Sequence, residues 1–154
     1  MKSALLCLSV SVILIISCSK SNTAVQAPTS QWTISGVTYR ADSTVLFSTP
    51  NSGVNMEGVD TGIDQLYINF DSLPTMSRTY LVNSGDGGNP NNKYCSISVE
   101  NSTAIYFGIA EISGEQVNVT VNGGKIIASF NNIAVQDIYN IYDTAYISGT
   151  LIQQ

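Results

Sequence analysis

Val117-Asn118-Val119-Thr120-Val121-Asn122-Gly123-Gly124-Lys125-Ile126-Ile127-Ala128-Ser129-Phe130 is the stretch that decides the fold. Val117, Val119 and Val121 alternate with polar residues, which is the period of a half-buried strand. Asn122-Gly123-Gly124 breaks that pattern. Asn-Gly suits a tight hairpin, because both centre positions can need positive φ, which Asn tolerates and Gly accepts freely. The chain then returns with Ile126, Ala128 and Phe130 on one side. The segment reads as a β-hairpin.

The same period runs outward in both directions. Residues 65–70 place Leu66, Ile68 and Phe70 on one face, and residues 94–99 place Cys95, Ile97 and Val99 likewise. Residues 145–151 do so with Ala145, Ile147, Gly149 and Leu151. Further strands are predicted over 31–34, 37–41, 43–48, 78–82 and 103–110, with a weaker one over 54–59. Ser35-Gly36, Pro50 to Gly53, Asp71 to Pro74, Asn83 to Asn92 and Ser113-Gly114-Glu115 punctuate them. Gly108 and Gly149 inside strands predict bulges or corners. About ten strands and no sustained helical period predict an all-β, antiparallel β-sandwich, with a lipocalin-like barrel as the alternative.

Upstream of the first strand the character changes. Lys2 opens the chain, residues 4–16 are apolar except for Ser9 and Ser11, and small Ser17 precedes Cys18. That order marks an export signal rather than fold, and the run is short of the roughly 20 residues a membrane span needs. Ile15-Ile16-Ser17-Cys18 resembles the lipobox of bacterial lipoproteins. The resemblance implies cleavage before Cys18, diacylglycerol on its sulfur and acylation of the new amino terminus. Residues 1–17 are then a signal peptide, 18–30 a lipid-anchored flexible tether of Ser, Thr, Asn, Gln and Pro28, and 31–154 a single all-β domain. The implied place is the outer membrane of a cell envelope, facing either the periplasm or the exterior.

With Lys2 removed, five basic residues face eleven acidic ones, a net charge of −6. Lys20, Arg40, Arg78, Lys93 and Lys125 are scattered, so nucleic acid has no electrostatic footprint here. Cys7 leaves with the signal and Cys18 takes lipid, which leaves Cys95 without a disulfide partner. Its place on an alternating apolar face predicts a core residue rather than a reactive thiol.

The chain has no histidine. Ser-His and Cys-His nucleophile systems and the usual zinc sites are therefore excluded. No Gly-rich loop opens a helix to cradle phosphate. Glu57 with Asp60, or Glu111 with Glu115, are formal carboxylate pairs, but nothing in the spacing makes either pair converge, as glycoside hydrolysis needs. The loop around Asp86, and the turn between Asp60 and Asp64, are short of carboxylates for calcium. No catalytic residue, metal or cofactor is assigned.

The aromatic residues carry more information. Trp32 and eight tyrosines stand beside few charges. Asp137-Ile138-Tyr139-Asn140-Ile141-Tyr142-Asp143 interrupts two strands, and Tyr139 and Tyr142, with Trp32, are candidates for stacking on a sugar. The plainer expectation is that the two loop tyrosines pack over the end of the core or extend a strand.

Trp32…Gly36…Tyr39, Thr79-Tyr80-Leu81, Val117-Asn118-Val119-Thr120 with Gly124-Lys125, and Ile147-Ser148-Gly149-Thr150-Leu151 together resemble small Bacteroidota-type lipoproteins carrying an all-β domain. The resemblance brings fold and location, and no activity. Asp42-Ser43-Thr44, Asp71-Ser72-Leu73 and Asp143-Thr144-Ala145 resemble the O-glycosylation acceptor of such bacteria, which makes Ser43, Ser72 and Thr144 candidate sites. Two functional expectations follow. One is a non-enzymatic binding module for a glycan, small ligand or protein partner. The other is a structural or envelope-assembly lipoprotein without a pocket. A concave face with tyrosines favours the first, and a sheet with an uncovered apolar edge favours the second.

Overall fold

The computed structural model describes residues 29–49, 53–60, 64–83, 93–109 and 114–154. The predicted signal peptide, Cys18, most of the tether, Asp86 and Glu111 lie outside these residues. The described chain is all-β: β1 (Gln31–Ile34), β2 (Val37–Arg40), β3 (Ser43–Thr49), β4 (Gly53–Val59), β5 (Gln65–Phe70), β6 (Arg78–Val82), β7 (Tyr94–Glu100), β8 (Ile105–Gly108), β9 (Gln116–Asn122), β10 (Lys125–Asp137) and β11 (Thr144–Ile152).

All eleven strands join one sheet, in the order β2-β1-β11-β10-β9-β6-β7-β5-β4-β3, with β8 bridging β10 and β7. That bridge closes β10, β9, β6, β7 and β8 into a ring. Two arms leave the ring: β5-β4-β3 beyond β7, and β11-β1-β2 beyond β10. They pack face to face at Gly58 of β4, where a Cβ would meet Leu151 Cδ2 at 2.6 Å and Trp32 Cζ3 at 3.3 Å. The molecule is thus barrel-like in its ring and sandwich-like in its arms.

The expectation of purely antiparallel pairing is corrected at one place. β6 and β7 run parallel, with Leu81 opposite Tyr94 and Val82 opposite Cys95. A closed ring must return to its starting direction, so it needs an even number of antiparallel pairs. Five strands leave at least one pair parallel. The long connection between β6 and β7 permits it, since parallel neighbours need a crossover rather than a tight turn.

One hydrophobic core fills ring and arms. Trp32, Met56, Leu66, Ile68, Phe70, Ile97, Val117, Ile133, Ile147 and Leu151 are all fully buried. The alternation read from sequence supplies these faces. Phe70 and Tyr80 meet edge to face at 4.9 Å. Cys95 is buried, as its position on β7 predicts, and burial, then the Asp71 charge, pushes its thiol up to about 12. Gly108 and Gly149 mark close approach rather than bulges. A Cβ on Gly108 would lie 2.8 Å from Val82 Cγ1 and 2.9 Å from Ile97 Cγ2, inside the narrow ring.

The bulge lies elsewhere. β10 continues well past Phe130, and its register to β11 shifts between Phe130 and Ile133. Asn132 takes a φ of 55° there. The extra residue lets Phe130 and Ile133, three apart, both face the core. The turn after β9 is also displaced by one residue: Asn122 pairs with Lys125, and Gly123 and Gly124 carry the positive φ values of 58° and 80°. Ser30, assigned to the tether, is instead buried. Its hydroxyl accepts from Thr44 Oγ1 at 2.6 Å and from the Ile152 N–H at 2.7 Å.

Candidate functional site

The sequence candidates separate in space. Trp32 is fully buried and stacks on Tyr39 at 5.6 Å, so its ring has no surface to offer a ligand, and its Nε1 has no hydrogen-bond partner among the described residues. Tyr139 and Tyr142 are 76% and 91% exposed at the tip of the β10–β11 connection. The expectation that they cap the core or extend a strand is overturned, because the loop is held by its polar atoms instead. Asp137 Oδ1 accepts the Tyr139 N–H at 3.0 Å, and the Asn140 carbonyl accepts the Asp143 N–H at 2.8 Å. Tyr106 donates its hydroxyl proton to Asp143 at 3.2 Å. The two rings point outward on a fixed turn.

The glycosylation candidates sit at strand starts and a bend. Ser72 and Thr144 are exposed, whereas Ser43 is half-buried opposite Val59. Of the carboxylate pairs, Glu57 faces Tyr67 across β4 and β5, while Asp60 donates its N–H to the Asp64 carbonyl at 3.0 Å. Among the described residues no group of three or more His, Cys, Asp and Glu side chains could hold a metal.

The bulge in β10 creates a site that the sequence reading missed. Outward alternation places Gln116 and Asn118 on β9 and Tyr146 on β11, and Asn131-Asn132 swells the strand between them. With Glu115 they line an open cleft of about 530 Å³. Ser148 Oγ fixes the bulge by accepting the Asn132 N–H at 2.8 Å while donating to Asn131 Oδ1 at 3.1 Å. Asn118 Oδ1 accepts from Thr79 Oγ1 at 2.8 Å, so its amide nitrogen keeps both protons for another acceptor.

Glu115 is the charged member. Its Oε1 accepts the Ala134 N–H at 2.6 Å, but its Oε2 is buried without a partner among the described residues. Burial raises its pKa, and the Ala134 hydrogen bond offsets this in part. A desolvated carboxylate oxygen without a donor is costly, and a hydroxyl or amide proton would relieve it once the side chain turned toward the cleft. Acceptor, amide donors and the half-exposed Tyr146 ring together suit a ligand with hydroxyls on its edge and an apolar face. The one available sequence signal was the Asn-Asn pair ahead of Ile133, which breaks the alternation where a bulge belongs.

No protein-family model, curated protein or solved structure matches this chain.

Proposed function

We propose that this protein is a lipid-anchored envelope lipoprotein of the small Bacteroidota type, held by Cys18, whose β domain binds a glycan without transforming it. The convergence of Glu115, Asn118, Asn131 and Tyr146 on one cleft carries the reading; the Glu115 Oε2, buried and without a partner among the described residues, is an acceptor that a turn of the side chain would present to a ligand. Sugar hydroxyls would donate to it and accept from Asn118 and Asn131, while a sugar face stacks on Tyr146. Among the described residues the cleft supplies one carboxylate, which fits recognition better than glycosidic hydrolysis, where two must flank the bond. The lipobox-like Ile15-Ile16-Ser17-Cys18 and the polar stretch after it support the anchor.

The test is binding of the mature protein to an array of neutral and acidic oligosaccharides, repeated with Glu115→Gln and Tyr146→Ala. Loss of a charge-assisted hydrogen bond should weaken binding by roughly tenfold or more. Folded variants that bind as the parent does, or a parent that retains no glycan, reject the cleft. Mass spectrometry of the membrane form tests the anchor, since Cys18→Ser should remove every acyl chain.

A further inference from the structure

The sheet has two outer edges, and they are treated differently. Natural edges are shielded by charge, proline, bulges or brevity. β2 follows that rule, with four residues ending in Arg40. β3 does not. Ser43-Thr44-Val45-Leu46-Phe47-Ser48-Thr49 holds no charge, proline or glycine, and it pairs with β4 without a break from Ser43↔Val59 to Thr49↔Gly53. Val45 and Phe47 lie on its outer face, 45% and 39% exposed.

The direction of the edge's backbone groups can be read from one hydrogen bond. The Gln154 N–H donates to the Thr44 carbonyl at 3.3 Å, from the side away from β4. Backbone groups alternate along a strand, so Leu46 and Ser48 also turn N–H and C=O to the open side. Ser30 and Gln154 cover the Thr44 end, and among the described residues nothing pairs with the other end.

We propose that this edge joins two copies of the chain, β3 against β3 and antiparallel, about a two-fold axis at Phe47. Leu46 then exchanges both backbone hydrogen bonds with the partner's Ser48, and Ser48 does the same with the partner's Leu46. Phe47 faces the partner's Phe47 as a non-hydrogen-bonded pair, the arrangement that brings side chains closest. Beyond these four bonds the same register sets Thr44 opposite the partner's Pro50, so the ladder ends there, whereas the neighbouring registers place one of those two residues inside the bonded pairs. An axis at Leu46 recruits Thr44, whose carbonyl already holds Gln154. An axis at Ser48 recruits Pro50, which has no N–H to give. A second copy fits because the edge is self-complementary in this register, and a two-fold contact uses the same surface on both partners. The inference is independent of the ligand cleft, which lies on β9, β10 and β11.

The experiment uses the full chain in its membrane, with Phe47→Cys compared against Thr120→Cys. Thr120 is exposed on β9, which has neighbours on both sides, so it reports random collision. Protection of Cys95 from alkylation verifies the fold of each variant. A facing Cys pair about 4.5–5.5 Å apart at Cα is within disulfide reach, so mild oxidation should give roughly tenfold more covalent dimer from Phe47→Cys than from Thr120→Cys. Adding Ser48→Pro, which deletes an N–H on the open side, should abolish that dimer. Equal yields at the two sites, or a cross-link that survives Ser48→Pro in a folded chain, overturns the proposal.

Discussion

Gly149 of β11 and Trp32 of β1 lie opposite one another so closely that a Cβ on Gly149 would stand 2.8 Å from both Cα and Cβ of Trp32. The Gln31 carbonyl would lie 2.5 Å away, and it is backbone that cannot swing aside. Gly149→Ala must therefore part β1 from β11. We expect a loss of about 1–3 kcal/mol, read as a fall of roughly 4–12 °C in Tm.

Ser30 closes the seam between the arms, because its hydroxyl serves both Thr44 and Ile152. Ser30→Ala strands the buried Thr44 hydroxyl and the Ile152 N–H. The expected loss is about 2–3 kcal/mol by denaturant unfolding, with an unchanged m-value. A chain cut to begin at Gln31 should show the same deficit.

Asn132 holds the β10 bulge at positive φ. Asn132→Gly should leave stability unchanged or slightly raised, whereas Asn132→Val should cost about 1–2 kcal/mol, because a β-branched residue resists that conformation. Deleting Asn132 removes the phase change and turns either Phe130 or Ile133 outward. That variant should not give a cooperative melt.

Cys95 ionises in the folded chain at about 12, against 9.0 for an ordinary thiol. The folded protein keeps the proton more tightly, so the thiol's contribution is whole below pH 9 and is lost as pH rises from there towards 12. Tm should fall over that window, and Cys95→Ala should flatten part of the slope. At pH 8 the native protein should leave a thiol reagent unreacted until it unfolds.

Glu115 has its pKa raised, chiefly by burial. Its contribution to stability is therefore present below the ordinary value of 4.5 and lost as pH rises through the raised one. Glu115→Gln should leave Tm at neutral pH undiminished. Glycan affinity should move the opposite way in the parent, falling on acidification as the acceptor gains a proton. Thermal melts and isothermal titration between pH 4 and pH 7 measure the two in turn.

Much of the fold was legible because one face of each strand is buried and the side-chain period is two. Leu66, Ile68 and Phe70, or Cys95, Ile97 and Val99, point inward as their spacing predicts. The far half of β10 was not legible, because the bulge at Asn131-Asn132 changes phase mid-strand and hides the alternation. Nor was the parallel β6–β7 pair, which is a condition of ring closure that no local pattern records. Trp32 illustrates the limit for sites, since composition marks an aromatic residue without saying which side of the sheet receives it. The cleft was missed for a related reason: Asn118, Asn131 and Tyr146 are spread over three strands, Glu115 lies just ahead of β9, and they meet only through pairing.

The place where the chain enters its fold has a mechanical meaning. Ser30 leads directly into β1, which is hydrogen-bonded on both sides, to β2 and to β11. With the anchor proposed at Cys18, a pull on the chain ahead of Ser30 would act lengthwise on that strand, across hydrogen bonds that run perpendicular to it. The bonds would then be loaded together in shear instead of being unzipped one at a time.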